Sequence, residues 1–318
     1  MRHMLDVKRM VLLRDLAEHG RVTAVADLHG VTPSAVSQQL RALEAEAGAS
    51  LVEREGRGLR LTAAGAALAA ECAHVLAALE RAEGAVRALD AEVAGDLAVG
   101  CAPSALRTVA APLLAELAVR HPRLRPRIVQ AEPEEAVPEL RGRRLDVVVG
   151  YRYDLLGEPP ATGTTAVPLF ADPLCLALPE ALRPAVEREG LAALRGHAWV
   201  SAPEPSSCRA MLLHACRNAG FTPRIEHSCS DLRSALWLVA SGQAVSILPG
   251  LLCDSPPSGA AVLPLPGHGR TVEALVRSGT EGRPAIAAVL SALAAVTAGR
   301  AGPEGPTGAG GGGGAVSY

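Results

Sequence analysis

The sequence predicts an α/β protein with an all-α N-terminal head, a long linker helix and a two-lobed C-terminal domain. Short helical patterns fill residues 1–62, one long helical pattern covers 63–93, and short apolar runs alternate with amphipathic stretches over 96–300. The chain has 318 residues, of which 49% are hydrophobic, so two or three domains can each bury a core. The glycine-rich segment 301–318 is predicted to be disordered because it cannot bury apolar surface.

The composition and the absence of certain motifs limit the kinds of function that the sequence predicts. Aromatic residues make up 2% of the chain, which argues against ring stacking on nucleic-acid bases as the main recognition mode. The 9 histidines show no metal-ligand spacing, and no nucleophile-elbow, phosphate-loop or paired-carboxylate motif occurs, so we expect no enzyme, metal or cofactor. The charged start lacks a signal-peptide core and no apolar run has the length of a membrane span, which predicts a cytoplasmic protein with no membrane partner.

Two adjacent helices are predicted in the head. The first covers residues 23–29 and is closed by Gly30. Thr32 can then cap a second helix over 33–47, with Pro33 at its first position and Gly48 as its stop. Two short helices joined by a tight turn are typical of a helix-turn-helix. We therefore predict that the second helix enters a DNA groove with its exposed side chains Ser34, Ser37, Gln38 and Arg41.

A basic hairpin is predicted directly after these helices, over residues 51–62. Its tip is Gly56-Arg57-Gly58, and Arg54, Arg57 and Arg60 are placed to meet phosphates or the minor groove, as in a winged helix-turn-helix. The alternative is a helical protein-interaction module with a solvated arginine loop. The order of cap, turn, helix and wing favours the DNA-binding interpretation.

An unbroken heptad seam runs along the long helix, with apolar residues spaced alternately four and three apart. The seam consists of Leu68, Cys72, Val75, Leu79, Ala82, Val86, Leu89 and Val93. This pattern is typical of a coiled coil and predicts dimerisation. The alternative is an amphipathic helix that packs on its own domain.

Short strands alternate with helices after residue 96. The predicted strands are residues 97–100, 127–130, 146–150, 167–170, 174–178, 198–201, 224–227, 244–248 and 272–276. The predicted helices are residues 104–120, 207–219, 231–241 and 284–298. This alternation predicts mostly parallel sheets with a ligand at the carboxyl ends of the strands.

Serines begin two of these predicted helices. Ser104 follows the first strand, and Ser206 and Ser207 follow strand 198–201. Hydroxyl groups and free N–H groups at two facing helix starts can hold an anion or a small polar molecule. The alternative is that each serine is only a helix cap.

The sequence resembles the LysR-type transcriptional regulators. In the head the matching residues are Val25, Ala26, Leu28, the stretch 34–40, Leu43, Glu44, Gly48, the stretch 51–54, Leu61, Thr62 and Gly65. Beyond the head the matching stretches are 96–100, 142–150, 216–223 and 239–249. The chain departs from the family pattern at Thr32-Pro33, where the family proline comes one place later, and at Val52, where the family has phenylalanine.

The resemblance implies a sequence-specific DNA-binding regulator whose activity is modulated by a small-molecule effector. The expected partners are double-stranded promoter DNA, the effector, further copies of the chain in a homodimer or homotetramer, and RNA polymerase. The effector-binding domain would be periplasmic-binding-protein-like, with one lobe formed by about 96–163 and 265–300 and the other by about 164–264. By position in that fold, Glu132 and Tyr151 would join the serines in the cleft, and the charge of the effector stays open.

Two alternatives remain at this stage. A solute-binding protein without a DNA-binding role would share the two-lobed domain. A thiol-based redox-sensing regulator would share the whole fold, since Cys208 and Cys216 lie on one predicted helix, near the positions of the two reactive cysteines in peroxide-sensing relatives.

Overall fold

The computed structural model describes residues 4–55, 58–87, 93–157 and 161–300. Arg57 at the predicted wing tip, Leu89 of the predicted seam and the predicted disordered segment 301–318 lie outside the described residues. The limits of the domains and lobes stay a prediction.

The head contains three helices and a two-stranded antiparallel hairpin. In chain order these are α1 Val7–His19, α2 Val22–His29, α3 Pro33–Ala47, β1 Val52–Glu55 and β2 Gly58–Leu61. The cap of α3 forms as the sequence predicts, because Thr32 Oγ1 accepts a hydrogen bond of 3.2 Å from the N–H of Ala35. One apolar core holds the head together, with Leu13, Leu40 and Leu43 buried at its centre. The helix-turn-helix with a wing is therefore present.

Helix α4, Ala63–Arg87, links the head to the second domain and packs against both. Near its start, Ala69 and Cys72 are buried in the core of the head. Farther along, Glu80 is buried against Arg277 and Arg283 of the second domain. Its stretch Ala63–Val86 has a mean hydropathy of 1.3 and is long and apolar enough to span a membrane by length and composition, which corrects the sequence expectation. Its packing is that of a helix between two domains.

This packing buries one part of the predicted heptad seam of α4 and leaves another part exposed. Cys72 is fully buried within its own head, so it is not available to a partner helix, contrary to the sequence prediction. Leu79 is 41% exposed and Val86 is 69% exposed. The exposed part of the seam therefore lies in the C-terminal half of α4.

A six-stranded sheet forms the second domain together with a separate parallel strand pair. The sheet contains β3 Gly95–Cys101, β4 Leu124–Gln130, β5 Val147–Arg152, β6 Thr164–Pro179, β9 Ser246–Pro249 and β10 Ala260–Arg277, in the spatial order β4-β3-β5-β10-β6-β9. The separate pair is β7 Ala198–Ser201 with β8 Arg224–Ser228. Only β3 with β4 and β3 with β5 are parallel in the sheet, so the predicted mostly parallel arrangement is wrong for this sheet.

Strands β6 and β10 are long because each passes through both lobes. Phe170 of β6 packs in the core that surrounds β3, whereas Leu174 and Leu178 of the same strand pack in the core around β7. The two short strands predicted over 167–170 and 174–178 are thus one strand. Val167, Leu169 and Phe170, which lie near the boundary that the resemblance implies between the lobes, pack in the core around β3.

Six helices cover the two lobes. They are α5 Ala111–Arg120, α6 Pro133–Arg141, α7 Arg183–Glu189, α8 Ser207–Asn218, α9 Leu232–Ala240 and α10 Pro284–Thr297. Helices α6 and α7 have no counterpart in the sequence prediction. Helix α6 belongs to the first lobe, where Ala136 and Leu140 pack on β5 and β10, while α8 belongs to the second lobe.

The second domain approaches the backbone of α4 closely at Gly279. This residue has a φ of 90°, and a Cβ placed on it would collide with the carbonyl oxygen of Ala77. A side chain is therefore excluded both by the backbone conformation and by the space.

We expect Gly279→Ala to lower the free energy of unfolding by about 1–3 kcal/mol, because it adds backbone strain and separates the domain from α4. Urea denaturation followed by circular dichroism would measure the loss. Gly282→Ala is the matched control, since a Cβ there meets no atom within 4 Å. Equal stabilities of the two variants would contradict the close packing of Gly279.

Candidate DNA-binding face and effector cleft

One side of α3 is open to solvent and the other is buried. Ser34, Gln38 and Arg41 are exposed and spaced as neighbours on one helix face. Ser37 is half-buried, and its hydroxyl donates a hydrogen bond of 2.9 Å to the carbonyl of Pro33. This hydroxyl is therefore less available to a base edge than the side chain of Gln38.

The start of α3 and the hairpin carry the remaining predicted DNA-binding residues that the structure describes. The hydroxyls of Thr32 and Ser34 lie 2.9 Å apart at the start of the helix, next to Pro33. On the hairpin, Arg54 and Arg60 are exposed, and Arg60 forms an ion pair with Glu53. Pairing with Glu53 reduces the net charge that Arg60 presents to a phosphate. The roles of all these residues in DNA binding stay a prediction.

A cavity of about 570 Å³ lies between the two lobes. Its lining includes Ser104, Glu132, Tyr151, Cys208, Arg233 and Arg270. The size is that of a site for a small molecule. Three of the five predicted effector residues thus come together here, whereas Ser206 and Ser207 are absent from the lining.

Arg270, which lines the cavity, belongs to a buried ion pair where β6 and β10 cross between the lobes. Arg270 faces Asp172 in the pairing of the two strands, with 2.9 Å between Arg270 Nε and the carboxylate. The side chains are 1% and 3% exposed. Burial opposes the charge of Arg270, but Tyr153 and Asp172 keep its pKa above the usual range. The guanidinium also donates a hydrogen bond of 2.7 Å to Ser104 Oγ.

The serine-led helix starts differ from the sequence prediction. Ser104 lies within a short 3-10 turn, Pro103–Ala105, rather than at the first position of an α-helix, and its hydroxyl is already bound by Arg270. Ser206 caps α8, accepting a hydrogen bond of 3.4 Å from the N–H of Arg209. The N–H of Ser207 donates to Glu134 of the other lobe. Both helix starts therefore have partners within the chain.

Glu132 and Tyr151 form a polar wall of the cavity. The hydroxyl of Tyr151 donates a hydrogen bond of 2.8 Å to Glu132 Oε2. Burial raises the pKa of Glu132, and the neighbouring carboxylates Glu134 and Glu135 also raise it, while the Tyr151 bond acts in the opposite direction. A ligand that places a hydrogen-bond donor or a positive charge next to Glu132 would stabilise the charged form of its carboxyl group.

Cys208 and Cys216 lie on α8 in environments that disfavour the thiolate. Burial raises the pKa of Cys216 to about 12, and it also raises the pKa of Cys208. The hydroxyl of Tyr153 donates a hydrogen bond of 3.2 Å to Cys208 Sγ. Eight residues of helix separate the two thiols by about 12 Å along the axis, too far for a disulfide while α8 is intact.

Sequence reasoning missed Arg270, Asp172 and Tyr153. Asp172 falls between the two strands predicted over 167–170 and 174–178, whereas the structure has it inside one long strand. A charged residue between two apolar runs was the available signal, but its partner Arg270 is 98 residues away in the chain.

Comparison with known proteins gives the family. The model described as "Bacterial regulatory helix-turn-helix protein, lysR family" matches residues 7–66, and the "LysR substrate binding domain" matches residues 90–298. The regulator ShiR of Corynebacterium glutamicum is 34% identical over 223 residues, 69% of this chain and 74% of that protein. A probable hydrogen peroxide-inducible genes activator of Mycobacterium avium is 30% identical over 237 residues, 74% of each chain.

Solved structures agree on the fold. A full-length OxyR variant from Pseudomonas aeruginosa has a TM-score of 0.58 at 22% identity and covers 96% of this chain and 100% of its own. The LysR family regulator CbnR has a TM-score of 0.50 at 23% identity and covers 91% of this chain and 100% of its own.

The match of residues 7–66 to a DNA-binding head shows that the alternative of a solute-binding protein without a DNA-binding role is wrong. The chain belongs to the LysR family of transcription regulators, with a DNA-binding head and an effector-binding domain.

Proposed function

We propose that this regulator reads its promoter site with the exposed face of α3 and contacts the DNA backbone with the wing. The observation that carries this proposal is that α3 has two different faces. Gln38 and Arg41 are exposed, whereas Val36 and Leu40 are buried. Glutamine can form two hydrogen bonds with adenine, and arginine can do so with guanine. Thr32, Pro33, Ser34 and Ser37 at the helix start, and Arg54, Arg57 and Arg60 of the wing, supply the surrounding contacts.

A second copy of the chain is the proposed protein partner. The exposed half of the seam on α4, with Leu79 and Val86, gives an apolar surface that a symmetry-related helix would cover. A dimer places two heads where they can contact two half-sites, and a tetramer would pair two such dimers. We also propose contact with RNA polymerase at the promoter and a cytoplasmic location, because that is where the DNA of a bacterial regulator is bound.

The inter-lobe cavity is the proposed effector site. Ser104, Glu132 and Tyr151 would contribute to it, with Ser206 and Ser207 acting from the edge of the second lobe. The name of the Mycobacterium avium relative favours peroxide sensing as a second candidate. The raised pKa of both Cys208 and Cys216 favours effector binding instead, since a reactive cysteine needs an accessible thiolate.

The DNA-binding proposal is tested with Gln38→Ala. We expect it to reduce the preference for the specific site over base-substituted sites by about 10- to 100-fold, because it removes a base contact. Fluorescence anisotropy on the DNA upstream of the protein's own gene would measure this ratio. Gln39→Ala is the control, since Gln39 Oε1 accepts a hydrogen bond of 2.9 Å from Arg9 of the head. Absence of any specific binding by the unmodified protein would contradict the proposal itself.

The oligomer is tested with Leu79→Asp. A carboxylate placed in an apolar helix interface opposite its symmetry mate costs about 3–5 kcal/mol. We therefore expect a smaller species by light scattering and weaker DNA binding. Ala78→Asp adds the same charge at an adjacent exposed position outside the seam and should keep the original mass. An unchanged mass for Leu79→Asp would mean that α4 does not pair with a second copy.

A further inference from the structure

Helix α6 has one end at the effector cleft and the other at the DNA-binding head. At its start, Glu134 Oε1 accepts a hydrogen bond of 2.8 Å from the N–H of Ser207. Helix α6 lies in the first lobe and α8 in the second, so this bond connects the two lobes directly. At its last residue, Arg141 forms an ion pair with Glu18 of α1.

At the cleft end of α6, another acceptor can replace Glu134 in the hydrogen bond from the N–H of Ser207. A carboxylate is favourable at a helix start because the N–H groups there carry partial positive charge. Glu134 is exposed, so the bond to Ser207 adds little to overall stability. A group on an effector can compete for this N–H.

The bond at the head end is less solvated. The side chain of Arg141 is 7% exposed, and its Nε has no hydrogen-bond partner among the residues the structure describes. Burial and the nearby Arg14 both lower the pKa of Arg141. The nearby Asp15 acts in the opposite direction, so Asp15 and the ion-paired Glu18 are the counter-charges of this buried guanidinium, and the exposed Glu18 contact is sensitive to small displacements.

The same end of α6 also contacts the linker helix through one arginine. Arg277 Nη1 donates a hydrogen bond of 3.0 Å to the carbonyl of Leu140, and Arg277 Nε lies 3.2 Å from Glu80 of α4. Between its ends, α6 is anchored by Ala136 and Leu140, both fully buried. A nine-residue helix is about 13 Å long, and Pro138 in its middle lacks the N–H that would bond to the carbonyl of Glu134, so the first and last turns are joined mainly through the buried side chains between them.

We propose that α6 couples the effector cleft to the DNA-binding head: the Glu134–Ser207 bond and the Arg141–Glu18 ion pair stabilise each other. An effector that takes the N–H of Ser207 frees the start of α6, and the resulting shift of its last turn weakens the hold on α1. The coupling is reciprocal, so releasing the head also loosens the cleft end. The inference rests on the proposed function only in assigning the competing group to an effector.

The test uses the full chain without any effector. Glu134→Ala removes the exposed carboxylate at the cleft end and leaves every residue of the head unchanged. We expect amide hydrogen exchange to rise about two- to five-fold in the last turn of α1 around Glu18, as it does in Glu18→Ala. Glu139→Ala is the control, because it breaks an exposed ion pair of α6 with Arg144 and should leave exchange in α1 unchanged.

A double variant separates coupling from two independent effects. If α6 couples the two ends, exchange in α1 is no faster in Glu134→Ala with Glu18→Ala than in Glu18→Ala alone. Unchanged α1 exchange in Glu134→Ala, or effects that multiply in the double variant, would overturn the inference. Because exchange is measured without DNA, a failure of the proposed DNA binding would be seen separately, in the anisotropy experiment on the unmodified protein.

Discussion

The buried ion pair between Arg270 and Asp172 is the interaction on which the effector domain depends. It lies where β6 and β10 pass from one lobe to the other, and its groups also bind Ser104 and the N–H of Leu251. Removing one partner of such a pair leaves an uncompensated buried charge, at a cost of about 3–5 kcal/mol. The pair therefore fixes the junction of the lobes and holds Arg270 in place at the cavity.

The linker helix α4 gives the molecule its second constraint. Cys72 ties it to the head, while Glu80 and the close approach of Gly279 tie it to the effector domain. Head, linker and first lobe are consequently packed against one another and are not separated by a free tether. In such an arrangement a change in the cleft reaches the head through packed helices, and α6 provides a short path.

The sequence allowed the head to be predicted well because its signals are local. The cap at Thr32, the glycine stop at Gly48 and the apolar spacing of α3 all lie within one short stretch. The sheet was harder, since antiparallel pairing of β6 with β10 depends on contacts distant in the chain. The bond from Ser207 to Glu134 has no local signal, because the two residues come from different lobes. Ser104, Glu132 and Tyr151 line one cavity together with Arg270, which the sequence prediction did not include, and their role in effector binding stays a prediction.

The passage of β10 through both lobes has a consequence for synthesis on the ribosome. The head is complete once α4 has emerged as far as Leu76, whose side chain packs on the core of the head, whereas the first lobe needs β10 and α10, which end at Arg277 and Thr297. At a bacterial elongation rate of about 5–20 residues per second, the head precedes the finished first lobe by roughly 10–50 s. During that interval a nascent head can fold and meet DNA before the domain that controls it exists, close to the gene from which it is being made.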